Sequence, residues 1–494
     1  MIDNLSWVVA YPEILLLIMG CVITLVDLGV KTPLRGVTHA LTLMTLAGVA
    51  ILCALYAQTG QTVYGFGGMV VSDPMGNWLK CFASIALMAT LVYGRTYAAD
   101  RDMLRGGELY ILSIFSLLGM FVMISGHHFL VLYLGLEMLT LASYALVALR
   151  RDDGRATEAA MKYFVLGAMA SGFLLYGMSM LYGATGSLDI AKVAEVIGAG
   201  QHQQQVLVLG VVFIVAGLAF KLGAVPFHMW LPDVYQGAPT VVTLMIGAAP
   251  KLAAFAIVVR LLVVGLLPLS VHWQQMLVVL AVSSLLVGNL AAIAQTNLKR
   301  MLAFSTIAQM GFLLLAFVAG NVGGDFSNAA NGYGSGMFYA VTYVLTTLGS
   351  FGVILVLSRQ GHESEELSDL AGLNQRSPFL AAIMSVCMFS LAGIPPLVGF
   401  YGKLAVLQAL LASGQSFYIW LAVFGVVMSL IGAFYYLRVV KVMYFDAPQQ
   451  TQAVQAPTDA QAVLSVNGLL VLGLGILPGG LMTLCMQAVL GLFP

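Results

Sequence analysis

The chain has 494 residues and a mass of 52.5 kDa, a length that would suit roughly three or four soluble domains. Its composition excludes that arrangement, because 60% of the residues are hydrophobic and only 9% are charged, against about 25% in an average soluble domain. The 21 Lys and Arg residues cancel the 21 Asp and Glu residues, so no basic surface favours nucleic acid. With a mean hydropathy of +0.96, the chain is predicted to be an integral membrane protein.

Taken in chain order, the apolar segments predict an all-α membrane bundle. About 20 apolar residues span a bilayer core, and we expect about 14 helices because 14 continuous runs of that size follow one another. The first run has Asp3 and no basic residue before it, which favours a retained helix over a cleaved signal. The runs are approximately 7–28, 36–57, 76–93, 109–125, 129–149, 158–182, 206–225, 241–259, 276–294, 301–319, 337–357, 379–411, 417–437 and 463–492.

The basic residues predict the orientation of this bundle. Alternate loops carry 14 basic residues, while the opposite loops carry only Lys192 and Arg260. By the positive-inside rule the rich loops are cytoplasmic, so both termini are predicted on the other side. The residues of the rich loops are Lys31, Arg35, Arg95, Arg101, Arg105, Arg150, Arg151, Arg155, Lys299, Arg300, Arg359, Arg376, Arg438 and Lys441.

Five further lysines fall inside the predicted spans: Lys80, Lys162, Lys221, Lys251 and Lys403. Lys80 and Lys162 lie near span ends, from which a long side chain can reach the interface. The other three lie deeper, where a charge needs protein or water around it. Glu137, also deep, is the expected partner of the lysines in the first half of the chain.

Buried lysines and acids that respond to each other's charge can pass protons. Burial generally lowers the pKa of a lysine and raises that of a carboxyl group, and a neighbouring opposite charge reverses both effects. A static ion pair of Glu137 with a lysine, fixing helix register, explains a single pair equally well. Three deep lysines against one deep acid favour protonatable lysines, and they disfavour a sodium or potassium path, which would need several carboxylates or carbonyls.

An internal repeat predicts two broken helices. At an offset of 169 residues, 220–226 (Phe-Lys-Leu-Gly-Ala-Val-Pro) matches 389–395 (Phe-Ser-Leu-Ala-Gly-Ile-Pro), so Lys221 aligns with Ser390. A proline inside an apolar run frees backbone carbonyls, and breaks at equivalent places in two halves are typical of a transport pathway. A packing kink in an inert bundle would give the same pattern. Beside the first break, His228 either joins a proton path or is merely hydrogen bonded.

Three motifs resemble one family. They are 225–239 (Val-Pro-Phe-His-Met-Trp-Leu-Pro-Asp-Val-Tyr-Gln-Gly-Ala-Pro), 297–306 (Asn-Leu-Lys-Arg-Met-Leu-Ala-Phe-Ser-Thr) and 391–396 (Leu-Ala-Gly-Ile-Pro-Pro). With 14 spans, the chain resembles the antiporter-like membrane subunits of bacterial respiratory complex I, a NADH-quinone oxidoreductase, and most closely the subunit N branch. The resemblance implies two inverted five-helix repeats, each with a broken helix. It places an N-terminal three-helix segment at 1–105, the repeats at 106–270 and 271–450, and a C-terminal helix at 451–494.

The resemblance also implies which residues move protons. They are Glu137 and Lys221 as a pair, Lys251 as the central lysine, Lys403 on the second broken helix, Lys162 after a basic loop, and His228. Relatives often have histidine where this chain has Gln309, which cannot titrate at physiological pH. A relay through the second half would then need water and hydroxyls such as those of Ser305 or Thr306.

The function implied is proton translocation within a NADH:quinone oxidoreductase of the bacterial inner membrane, which makes the chain a subunit of a translocase. We expect no cofactor or metal on this chain, because its five cysteines are scattered and a GxGxxG motif is missing. FMN and iron–sulfur clusters would lie on other subunits. The partners implied are other membrane subunits, including sister antiporter-like subunits, together with the lipid bilayer and protons.

Two alternatives stay open. The chain could belong to a multi-subunit sodium/proton antiporter of the same superfamily, or it could be a non-conducting scaffold of the complex. The excess of buried lysine over buried acid weighs against the antiporter. A scaffold would use the same buried charges only to hold its helices together.

Overall fold

The computed structural model describes residues 4–200, 204–322, 328–358, 362–448, 454 and 456–492. These residues form α1 (Asn4–Val9), α2 (Tyr11–Gly29), α3 (Gly36–Gln58), α4 (Pro74–Asp100), α5 (Glu108–Ser125), α6 (Phe129–Val147), α7 (Gly154–Thr185), α8 (Ile190–Gly198), α9 (Gln204–Leu222), α10 (Trp230–Gly237), α11 (Thr240–Gly247), α12 (Ala249–Val258), α13 (Ser270–Ile293), α14 (Leu298–Ala319), α15 (Ala329–Leu357), α16 (Leu373–Arg376), α17 (Pro378–Ala392), α18 (Val398–Leu411), α19 (Ser416–Phe445), α20 (Thr458–Ile476) and α21 (Gly479–Leu490). A π-helical stretch (Val259–Gly265) continues α12, and 3₁₀ turns occupy Leu267–Leu269 and Leu367–Leu370.

The bundle has the number of crossings that the apolar runs predict. Among the described residues, 13 helical segments are long and apolar enough to cross a membrane. The shorter α17 and α18 follow one another across a break and supply a further crossing. The prediction of an all-α membrane protein with about 14 spans is confirmed. The last predicted run is divided into α20 and α21, because Pro478 interrupts the helical hydrogen bonding.

The apolar runs do not predict a small hairpin between α3 and α4. Strands β1 (Val63–Gly65) and β2 (Val70–Ser72) pair antiparallel, with Tyr64 opposite Val71. Gly67 and Gly68 have φ angles of 65° and 89° in the turn between the strands, a region in which glycine has no steric penalty. The hairpin leads directly into Asp73, which caps α4.

The two broken helices have the same geometry. Their equivalent residues are one position further apart in the chain than the sequence repeat indicates. α9 ends before Gly223 and α17 ends before Gly393, and these glycines have φ angles of 80° and 88°. In both, the glycine amide donates to the carbonyls three and four residues earlier, and the next amide donates five residues back. The equivalent positions therefore differ by 170 (393 − 223), so the alignment of Lys221 with Ser390 is wrong. The counterpart of Lys221 is Leu391.

Three basic residues that the sequence places in loops or near the interface are buried. Lys80 is 1% exposed and pairs with Glu13, with 2.6 Å between Nζ and Oε1, so the expectation that it can reach the interface is wrong. Lys299 donates to the Ala238 carbonyl oxygen at 2.9 Å. Arg260 lies in the π-helical stretch and is 2% exposed. One residue of the loop tally, Arg359, lies outside the described residues.

The Arg260 guanidinium binds Asp73, the residue that caps α4. Its two terminal nitrogens donate to the two carboxylate oxygens at 2.6 and 2.9 Å, and its Nε donates to the carbonyl of Ile124 at 3.2 Å. Burial tends to raise the pKa of Asp73, but the charge and hydrogen bonds of Arg260 outweigh burial and leave the pKa below its usual value. The pair thereby joins the start of α4 to the end of the helix that carries Lys251.

Glycines let α5 and α6 touch through their backbones. A Cβ atom on Gly119 would lie 2.4 Å from the Leu139 nitrogen, and one on Gly135 would lie 2.4 Å from the Met123 nitrogen. Small residues allow this approach in membrane bundles. Because Glu137 follows Gly135 by two residues, this crossing fixes where the carboxylate enters the bundle.

We expect Gly135→Ala to lower the free energy of unfolding by about 1–3 kcal/mol, because the added methyl group forces the two helices apart. Thermal unfolding of the purified chain in detergent measures the change. The matched control is Gly172→Ala in α7, where an added Cβ would have no heavy atom within 4 Å. Equal melting temperatures for the two variants would contradict the backbone contact.

Candidate functional site

At the first break, Lys251 on α12 occupies the carbonyls that the end of α9 leaves without helical partners. Its Nζ donates to the Leu222 oxygen at 2.9 Å and to the Lys221 oxygen at 3.4 Å. The side chain is buried, with 2% of the residue exposed. The break therefore keeps its last carbonyls satisfied through an ionisable side chain and not through another backbone group.

At the second break, Lys403 does the same from the other half of the broken helix. Its Nζ, on α18, donates to the oxygens of Leu391 and Ala392 at 2.9 and 3.0 Å. With the offset of 170, these are the counterparts of Lys221 and Leu222. The Ser429 hydroxyl is a third partner at 2.8 Å. Two lysines that the sequence singles out thus have the same two acceptors, although they come from different elements.

These contacts suit both protonation states of the lysines. An ammonium group donates three hydrogen bonds and has no acceptor, whereas a neutral amine donates two and accepts one. Lys251 can therefore lose a proton and keep both carbonyls. Lys403 can do so as well, since the Ser429 hydroxyl, which also reaches the Ala392 oxygen at 3.3 Å, can turn and donate to the amine.

Glu137 and Lys221 face the same interior region without direct contact. Among the described residues no ion pair within 4.0 Å joins them. A small cavity beside Lys221 is lined by Leu136 and Thr140, which flank Glu137 on α6. The Oε1 atom of Glu137 is buried and has no hydrogen-bond partner in the described part of the chain. The arrangement leaves room for an intervening group and is not a closed ion pair.

Lys162 lies at the rim of the bundle. Its side chain is 44% exposed and contacts Glu158 and Asp233, each at 2.9 Å. Arg300 binds the other oxygen of Asp233 at 2.7 Å. A surface cavity lined by these acids, Arg155 and Gln236 opens beside Lys162. The half-exposed position agrees with a long side chain near a span end.

Aromatic rings connect this rim with Lys251. Tyr163, next to Lys162 in α7, stacks on Trp230 with 4.7 Å between ring centroids. Trp230 donates its indole N–H to the Phe220 oxygen at 3.0 Å, and Lys251 Nζ lies 5.8 Å from its ring centroid. No hydrogen bond joins His228, between α9 and α10, to a lysine in the described part of the chain. Its Nδ1 is buried and has no hydrogen bond within the described segments.

In the second half, Gln309 belongs to a cluster of hydroxyl groups beside Lys403. Its amide donates to the Leu391 oxygen at 3.0 Å and to the Tyr436 hydroxyl at 2.9 Å. Tyr339 donates its hydroxyl to the Gln309 oxygen. Leu391 therefore accepts from both Gln309 and Lys403, so the amide has a hydrogen-bonding role although it cannot carry a charge.

The hydroxyl groups extend this cluster along α14. Ser305 lies 2.5 Å from the Tyr436 oxygen, and Thr306 lies 2.8 Å from the Tyr343 oxygen. A cavity between Gln309 and Lys403 is lined by Tyr343 and other hydroxyl-bearing side chains. The structure thus brings Ser305 into contact with the Gln309 cluster. No group of three or more His, Cys, Asp or Glu side chains that could hold a metal ion occurs among the described residues.

Comparison with known proteins decides the family. The model of the family described as NADH:quinone oxidoreductase/Mrp antiporter, TM, matches residues 126–432. The chain is 70% identical to NADH-quinone oxidoreductase subunit N of Polaromonas naphthalenivorans (strain CJ2), over 99% of this chain and 98% of that protein. The chain belongs to the NADH-quinone oxidoreductase subunit N family.

Solved structures agree with this assignment. A chain of respiratory complex I from Thermus thermophilus with bound aureothin is 33% identical, with a TM-score of 0.80, and the match covers 96% of this chain and 98% of that one. A chain of the Mrp complex from Dietzia sp. DQ12-45-1b has a TM-score of 0.83 over 99% and 98% of the two chains, at 20% identity. The second likeness shows the fold alone, so the subunit N family is distinguished from Mrp chains by sequence.

Several residues of the site in this subunit N chain were not predicted from sequence. Ser429 and Tyr436 lie on an apolar helix and carry no local signal. Asp233 lies in the 225–239 motif. Because a lysine within a predicted span needs a charged partner, a pairing of Asp233 with Lys162 could have been predicted from the sequence. The Val225 amide donates to the Ser284 hydroxyl oxygen at 2.9 Å, a contact that depends on the tertiary packing of α13.

We expect Lys251→Met to cost more stability than Lys403→Met. Lys251 is the one donor to its two carbonyls in the described residues, whereas Gln309 and Ser429 remain as donors at the second break. Leaving buried carbonyls unpaired costs about 1–3 kcal/mol each. Thermal unfolding of the two purified variants in detergent measures the difference, and an equal or reversed order would contradict it.

Proposed function

We propose that this chain is the proton-translocating subunit in the membrane part of a NADH:quinone oxidoreductase. The observation that carries the proposal is the lysine at each helix break. Lys251 and Lys403 are buried, and each holds two freed carbonyls through contacts that survive the loss of a proton. A group that can change its charge without losing its place suits a pump.

The row of Glu137, Lys162, Lys221, Lys251 and Lys403 is the path that we propose, with His228 beside the first break. Redox chemistry elsewhere in the complex changes the charge near one end of the row. Each group responds to its neighbour, and the second half continues through Gln309 and its hydroxyl partners. Moving one charge across 100 mV costs about 2.3 kcal/mol, and a change of one or two neighbouring charges in a poorly solvated interior supplies that amount.

The proposal extends to the location, the orientation and the partner subunits of the chain. We propose a bacterial inner-membrane location with both termini on the non-cytoplasmic side, and other membrane subunits of the complex, including sister antiporter-like subunits, as partners. We also propose the division of the chain into an N-terminal segment 1–105, two repeats at 106–270 and 271–450, and a C-terminal part 451–494. NADH, FMN, iron–sulfur clusters and quinone would be bound by other subunits, and this chain would contribute translocation only.

A non-conducting scaffold is the second candidate, because buried charges can also hold helices together. The contacts of Lys251 and Lys403 favour the pump, since neither lysine has a carboxylate within 4.0 Å in the described chain. A purely structural buried charge is normally paired. A sodium/proton antiporter subunit is less favoured, because the relative that is 70% identical to this chain is a NADH-quinone oxidoreductase subunit N.

We expect Lys221→Arg to lower the number of protons pumped per NADH oxidised in membrane vesicles that contain the assembled complex. Arginine keeps the charge but cannot release a proton. Glu137→Gln should lower the same ratio, because the amide keeps the shape of the side chain without its proton. Proton uptake and NADH oxidation are followed in parallel, and assembly is verified by co-purification of the other subunits.

The matched control is Lys441→Arg, on a side chain that is 62% exposed and pairs with Asp446 near the end of α19. This variant should pump like the parent. If Lys221→Arg and Glu137→Gln assemble and keep the parental ratio of protons to NADH, the scaffold replaces the pump. Co-purification with antiporter subunits in place of NADH dehydrogenase subunits would instead indicate the antiporter.

A further inference from the structure

A second buried acid–base pair lies outside the proposed row, in the N-terminal three helices. Oε1 of Glu13, on α2, lies 2.6 Å from Nζ of Lys80, on α4, with side chains 11% and 1% exposed. Ser125, the last residue of α5, donates its hydroxyl to the same Oε1 at 2.8 Å. Lys80 also lies 5.5 Å from the centroid of the Phe121 ring. Three helices thus meet at one carboxylate oxygen.

The hydrogen bonding of this pair is incomplete. Glu13 Oε2 and Lys80 Nζ are both buried and neither has a hydrogen-bond partner in the described chain, so the 2.6 Å contact between Nζ and Oε1 is an ion pair by distance alone. A buried ion pair normally needs further hydrogen bonds to offset the loss of hydration. With one proton moved from the ammonium to the carboxylate, both groups become neutral and the cost of the unmet positions falls.

The pair lies near the face of the bundle at which the chain begins. Glu13 is the third residue of α2, and Lys80 is the seventh of α4, about 9 Å along the helix from its start. α12, which carries Lys251, packs against both α4 and α5. The acid–base pair is therefore next to the helix of the central lysine and within two turns of that face.

The neighbouring pair of Asp73 and Arg260 shows what a structural ion pair looks like at this end. Both carboxylate oxygens accept from the guanidinium, Oδ1 also accepts from the Gly76 amide at 2.8 Å, and the Arg260 Nε has its own acceptor. Both carboxylate oxygens and all three guanidinium nitrogens of this pair therefore make hydrogen bonds. Guanidinium does not release its proton in proteins, so that pair can hold the helices but cannot pass a proton.

We propose that Glu13 and Lys80 form a proton-release site between the helix of Lys251 and the non-cytoplasmic face. The Lys80 ammonium gives a proton to the Glu13 carboxylate, which leaves a neutral amine and a neutral carboxyl group. The carboxyl group then loses that proton to the aqueous face and becomes a carboxylate again. The amine regains a proton from the row. This inference rests on the proposed function and adds a site to it.

The test is the number of protons pumped per NADH in vesicles with the assembled complex, for Lys80→Arg and Glu13→Gln. Lys80→Arg keeps the ion pair and blocks proton release, while Glu13→Gln keeps an oxygen for Lys80 and Ser125 and removes the proton acceptor. We expect both variants to lose part of the pumped protons. The control is the double variant Asp73→Asn/Arg260→Met, which should melt at a lower temperature but keep the parental ratio.

The Lys221→Arg variant is measured in the same vesicles and separates the two proposals. If it lowers the ratio while Lys80→Arg and Glu13→Gln assemble with the parental ratio, Glu13 and Lys80 are a structural pair and this inference is wrong. If none of the three variants lowers the ratio, the translocation function itself is wrong. Should Lys80→Arg fail to assemble, Glu13→Gln decides alone. A lowered ratio in the Asp73 and Arg260 control would also overturn the inference, because any lost pair would then act alike.

Discussion

A backbone carbonyl freed inside a membrane needs a donor, and this requirement organises the whole bundle. Hydrocarbon offers no hydrogen bonds, so each broken helix must find them within the protein. Here both breaks use the Nζ atom of a lysine, Lys251 for one and Lys403 for the other. The same contact offsets part of the cost of the break and part of the cost of burying the lysine.

The two breaks differ in how many side-chain donors serve their freed carbonyls. At the first break the carbonyls depend on Lys251 within the described chain, so its position is set by α12 packing against α4, α5 and α15. At the second break Gln309 and Ser429 share the carbonyls with Lys403. A histidine in place of Gln309 would add a titratable group, but a neutral imidazole donates one hydrogen bond where the Gln309 amide donates two.

The parts of the fold that were predictable are those with local signals. Apolar runs gave the crossings, and Pro226 and Pro395 marked the breaks to within one residue. The shift to 170 was missed because Pro395 and Pro396 are adjacent and the sequence match took the first, whereas Gly223 and Gly393 define the helix ends. Partners that are far apart in sequence left no pattern: 187 residues separate Asp73 from Arg260, and 26 separate Lys403 from Ser429.

The buried cations of this bundle differ in how completely their hydrogen-bonding groups are used. Arg260 has a bidentate partner and a third acceptor, and a guanidinium that stays charged needs all of them permanently. Lys251 donates to two carbonyls, which can accept a hydrogen bond from an ammonium or from a neutral amine. Lys80 has one carboxylate oxygen and no other acceptor among the described residues. A permanent charge is most costly where its partners are fewest, and the complete set of acceptors around Arg260 therefore sets it apart from Lys80 and Lys251.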